Sequence, residues 1–179
     1  MNKFFKASMV LGTVAILTAC GDSVKTLEPN DHLFKITVSS EYEDVTAKQD
    51  AIIAGRLEGT PVENITLLQA KKGDITNDLL YAVTLDLPEG VVITLKEFEE
   101  VMNEQMEAIN EIVDFKVSPV AGSQTQITYV AETTDNGTPY FEHCKISVES
   151  NITTICIGTT KDQKGAQKAI ESIEFLPPQ

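Results

Sequence analysis

The chain has 179 residues, 14 basic against 27 acidic, for a formal net charge of −13. So acidic a protein repels nucleic acid and anionic lipid surfaces alike, and neither is expected as a partner. Three cysteines and two histidines leave little material for metal or thiol chemistry.

The first twenty residues carry the most specific signal. Lys3 and Lys6 precede an apolar run from Ala7 through Leu17, and Leu17-Thr18-Ala19-Cys20-Gly21 closes it with small residues before a cysteine. The run is shorter than the roughly 20 apolar residues of a membrane-spanning helix, and polar Gly21, Asp22 and Ser23 follow at once. The order of basic, apolar and small residues is that of a signal peptide, and with its terminal cysteine it resembles a bacterial lipoprotein signal. The resemblance implies cleavage after residue 19 and palmitate-type acylation at Cys20, with each buried methylene adding about 0.8 kcal/mol of membrane affinity. In a Gram-negative host an aspartate directly after the lipidated cysteine would imply inner-membrane retention; Gly21 stands there, so the expected place is the periplasmic face of the outer membrane, or, in a Gram-positive host, the outside of the single membrane. On this reading 1–19 is the signal, 20–31 a lipidated tether containing Pro29, and 32–179 one domain, long enough to bury a sizeable core.

Within that domain, Phe34, Ile36 and Val38 alternate with Lys35 and Thr37 as in a strand. Asp50 to Leu57 fits either a short helix or a strand. Val62 to Ala70 reads as a strand, Lys71-Lys72-Gly73-Asp74 as a turn, and Leu79 to Leu87 as an alternating strand with Leu79, Tyr81, Val83, Leu85 and Leu87 on one side. Thr94 and Glu97 then make a capping box. Leu95, Phe98, Met102, Met106, Ile109 and Val113 recur at three- and four-residue steps, which predicts one long helix with an apolar face.

Strands are expected near Phe115–Pro119, Gln124–Thr134, Tyr140–Val148 and Ile152–Gly158. Asp135-Asn136-Gly137 is the strongest hairpin signal, because asparagine and glycine tolerate the positive φ of a type I′ turn. Thr160 and Gln163 form a second capping box ahead of Ala166, Ala169, Ile170 and Ile173, predicting a short C-terminal helix. The expected class is α+β: an antiparallel sheet covered by a long central helix and a short C-terminal one. The order of elements, opening on Phe34-Lys35-Ile36-Thr37-Val38 and Tyr42-Glu43-Asp44, resembles that of DcrB-type lipoproteins and the PsbP-like sandwich. The resemblance implies a non-enzymatic accessory protein and carries over no catalytic residue.

With Cys20 assigned to lipid, Cys144 and Cys156 remain as a pair on the two arms of the last hairpin. If that hairpin centres on Ser150 they oppose each other and form a disulfide; if Ile146 pairs with Ile155 they lie on opposite faces and stay as buried thiols. His32 and His143 are far apart and lack flanking ligands, so no metal and no cofactor are expected. No nucleophile elbow and no phosphate-binding glycine loop are present.

The remaining constellation is acidic. Glu97, Glu100, Glu104, Glu107 and Glu111 follow at three- and four-residue steps along the predicted helix, against a single Lys96. Like charges at these spacings cost an isolated helix a few tenths of a kcal/mol per pair. They form either a solvated face or a docking surface for a basic envelope or secreted protein. The expected function is therefore an envelope-anchored, protein-binding adaptor. The alternatives are an immunity lipoprotein that neutralises a basic periplasmic toxin, and a carrier holding a small ligand between sheet and helix.

Overall fold

A computed structural model describes residues 23–57, 60–109, 111–135 and 137–177. The proposed signal and the Cys20 lipidation site lie outside these residues. The element order is β1 (Val24–Leu27), β2 (Phe34–Ser39), β3 (Tyr42–Asp44), α1 (Gln49–Arg56), β4 (Ile65–Lys71), β5 (Asp74–Asp86) and α2 (Leu95–Glu107). It continues with β6 (Ile112–Pro119), β7 (Gln126–Asp135), β8 (Thr138–Val148), β9 (Asn151–Thr159), α3 (Gln163–Glu171) and β10 (Glu174–Phe175).

Seven strands form one antiparallel sheet in the order β3-β4-β5-β9-β8-β7-β6, and β1, β2 and β10 form a second, small sheet. The centre of the large sheet is buried on both faces. On one face Leu79, Tyr81, Ile127, Tyr129 and Cys144 pack with Ile52 of α1 and Met102 of α2. On the other, Leu80, Ala82, Ile155 and Ile157 meet Phe34 and Ile36 of β2 and Ala166 and Ile170 of α3. The protein is thus an α+β sandwich, with the sheet between a helix pair on one side and a helix and small sheet on the other.

Three sequence expectations are corrected here. The stretch expected as a tether, 20–31, contains β1, whose Val24 to Leu27 pair with Ser39 to Ile36 of β2. The long central helix is a 13-residue helix, α2, which ends at Glu107 with Ala108 as its C-cap. Ile109 and Val113, read as its last apolar turns, lie outside it; Val113 belongs to β6 and is 64% exposed. The physical reason is local. Glutamates in the last turn oppose the helix dipole, with no basic residue there to offset them, and Ile112-Val113 begins a β-branched run that finds a partner in β7. Finally, α3 is capped by Asp162, whose carboxylate accepts from the Gly165 amide at 2.9 Å, rather than by Thr160.

The register of the last two hairpins places the interior side chains. Asp135 opposes Thr138, so β7 and β8 are joined by a two-residue loop, with Gly137 at φ 79°. Val148 opposes Ile152 and Cys144 opposes Cys156. The two cysteines form a disulfide across this pair, Cα to Cα 4.1 Å, and closing so short a loop stabilises by roughly 2–3 kcal/mol. Further along the same strand pair, the hydroxyl end of Tyr140 on β8 lies against Gly158 on β9: a Cβ built there would meet the tyrosine hydroxyl at 1.6 Å. Tyr140 is buried and cannot swing clear. Gly158→Ala should therefore lower stability by about 1–3 kcal/mol, measurable as a shift in urea midpoint at unchanged slope.

Candidate functional site

The capping box at the start of α2 is formed. Thr94 Oγ1 accepts from the Glu97 amide at 3.2 Å, and the Glu97 carboxylate accepts from the Thr94 amide at 2.9 Å. The bond from the Thr94 amide, and then one that the Thr94 hydroxyl donates to the same carboxylate at 2.7 Å, hold the Glu97 carboxyl below the usual carboxylate range. Glu97 is thus committed to the helix end. Glu100 lies 3.5 Å from Lys96 Nζ, one turn away, both side chains exposed, a pair worth little. Glu104 and Glu107 continue the exposed face, and neither forms an ion pair among the described residues. Glu111 is exposed too, but in the turn before β6, so four of the five predicted glutamates share the helix.

Between Asp86 and Asp114 nine acidic residues meet a single lysine, Lys96. Apolar groups are interspersed with them on the surface: Val101, Ile109 and Val113 are each 44–64% exposed. Beneath the C-terminal end of α2 lies a cavity of about 270 Å³, walled by Met106, Ile109, Ile112 and Ala131, with Tyr140 and Glu142 contributing polar atoms. This is the recess between sheet and helices that a sequence cannot reveal.

The cavity sits on a partly buried polar cluster. The Glu142 carboxylate accepts from Tyr81 Oη at 2.6 Å and from Tyr129 Oη at 3.1 Å. Burial first, then the adjacent Glu142 charge, pushes both phenols well above their ordinary range, so they remain protonated and donating. Tyr129 Oη is also 3.5 Å from Cys156 Sγ. Glu142, Cys144 and Cys156 bring potential ligand atoms within 4.8 Å of one another, but both sulfurs are taken up in the disulfide. Sequence reasoning missed this cluster; its signal was the alternation of Tyr140, Glu142 and Cys144, which puts all three on one face of β8.

The histidines lie elsewhere. His32 Nδ1 meets Glu28 at 2.7 Å on the surface. His143, on the α3 side of β8, is buried, and its Nε2 has no hydrogen-bond partner among the described residues. On the same face Lys145 donates to the Ile173 carbonyl at 2.8 Å.

The folds of solved structures resemble this one. The crystal structure of the Saccharomyces cerevisiae Ran-binding protein Mog1p aligns with a TM-score of 0.55 at 10% identity, over 87% of this chain and 96% of that one. A Mog1 mutant aligns with a TM-score of 0.52 at 13% identity, over 85% and 95%. The fold is similar to that of Mog1. This overturns the resemblance to a bacterial DcrB-type lipoprotein: the structural likeness runs to Mog1, and at these identities it establishes the fold alone. No protein-family model and no curated protein sequence matches the chain.

Burial lowers the His143 pKa below its ordinary 6.5, so the unfolded chain takes up a proton before the folded one does. Stability is then fully present above about pH 6.5 and is lost as pH falls from there toward the folded-state value. Denaturant titrations of wild type and His143→Gln between about pH 7 and 5 should show a steeper loss for wild type.

Proposed function

We propose that this protein is a non-enzymatic protein-binding module and that its partner is basic, docking on the outer face of α2. The carrying observation is that this face and the turn after it set Glu104 and Glu107, which make no ion pair among the described residues, near exposed Val101 and Ile109. The charge density is costly to the helix itself. Glutamates one turn apart repel by a few tenths of a kcal/mol, and those in the last turn oppose its dipole. A basic partner removes both penalties on binding. It also gains a steered approach, since the field of the 86–114 region extends about a Debye length into solvent.

The Mog1p neighbour is by its designation a Ran-binding protein, which supports protein contact as the use of this fold. The Tyr81–Glu142–Tyr129 cluster fits a structural role better than an acid–base one: its phenols are held protonated and both already donate to the carboxylate.

The test is a low-salt capture from host extract by the full chain, washed at rising ionic strength, beside the triple variant Glu100→Gln, Glu104→Gln, Glu107→Gln. Exposed ion pairs contribute about 0.2–1 kcal/mol each. The variant should therefore bind the captured partner roughly tenfold more weakly and with a flatter salt dependence. Equal affinity and equal salt dependence would reduce the stripe to a solvated face.

A further inference from the structure

We infer that the cavity at the C-terminal end of α2 receives an apolar anchor side chain from the same basic partner, so that the segment bound is a cationic amphipathic one. This rests on the protein-binding reading above and names the chemistry of what is bound.

The size suits an anchor side chain better than a cofactor or drug-sized ligand. Pockets for those run to about 300–1,000 Å³, whereas a space of about 150 Å³ holds a benzene ring. The volume here, about 270 Å³, fits one large side chain together with the base of its neighbour. The walls have the right character, because Met106 is adaptable and adjusts to different apolar shapes, while Ile112 and Ala131 come from the paired strands β6 and β7.

Position supplies the charge argument. Ile109 belongs to both features: its side chain walls the cavity and is 44% exposed at the rim. Glu107 precedes it by two residues and Glu111 follows it by two, both exposed. An anchor entering beside Ile109 therefore carries its flanking residues directly over these carboxylates. A segment with lysine or arginine on one side and leucine or phenylalanine on the other meets both demands, as in helix-in-groove recognition. The arrangement also follows the anatomy of protein interfaces, a desolvated central pocket filled by one large side chain and ringed by charged groups that set approach and orientation.

The probes are two labelled helical peptides of equal length and equal lysine content, one with leucine on its second face and the other with serine, titrated against the full chain by fluorescence anisotropy. The leucine peptide should bind wild type at least about tenfold more tightly, the yield expected from burying one such side chain. Ile109→Asn, at the exposed rim, and Thr133→Phe, which fills the cavity from the β7 residue lining it, should each bring the ratio of the two peptides' affinities close to one. Ile109→Asn carries the test if Thr133→Phe does not fold. Equal affinity of the two peptides for wild type, or a leucine advantage that survives Ile109→Asn, overturns the anchor. The docking reading fails separately: it falls if the triple glutamine variant binds both peptides as well as wild type does, whatever the cavity does.

Discussion

The pairing of β8 with β9 is the constraint on which the rest of this structure depends. Both strands are interior to the sheet and buried on both faces over most of their length, so every side chain along them is assigned to one of two cores. A slip of one residue would exchange those assignments wholesale. Cys144–Cys156 ties two directly opposed positions, and Tyr140 against Gly158 adds a steric key two residues away on the same face. With that register fixed, Glu142 comes to lie under the hydroxyls of Tyr81 and Tyr129, and β5 and β7 are positioned by the same bonds.

The two faces of the sheet are put to different uses. One is closed by α3 and the small sheet, with Lys145 reaching the Ile173 carbonyl and lying over the Phe175 ring to fasten the chain's last segment. The other carries α1 and α2, which leave a recess near the rim of the sheet and present acidic and apolar groups outward. Charge follows this division: α3 and the two residues before it bear Lys161, Lys164 and Lys168 beside Asp162 and Glu171, whereas α2 has Lys96 against five glutamates.

The sequence disclosed the elements whose signals are local. The Thr94–Glu97 box, the Asp135 hairpin and the alternation of β5 are short-range patterns, and each stands in the structure close to where the pattern lies. Wherever two patterns compete, local reading falls short. Ile109 and Val113 continue a helical spacing in sequence, but their β-branched neighbours gain more from the β7 ladder than from another helical turn. β1 was obscured because its four residues are ordinary, and only β2 makes them a strand. The acidic stripe was legible because charge spacing is visible in one dimension. The recess beside it was not, since Gly55, Met106 and Tyr140 meet there from three distant parts of the chain.

The ends of the large sheet carry a consequence for the protein's behaviour in a crowded solution. Open strand edges are templates on which further copies of a chain add and grow into fibres. Here one edge, β3, is only three residues long, and the other, β6, is interrupted by a register shift between Ile112 and Asp114, carries Lys116 and finishes at Pro119, which has no amide hydrogen to offer. A seven-stranded sheet with both outer margins spoiled in this way can meet other proteins through its side chains at high concentration without its backbone recruiting a second copy of itself.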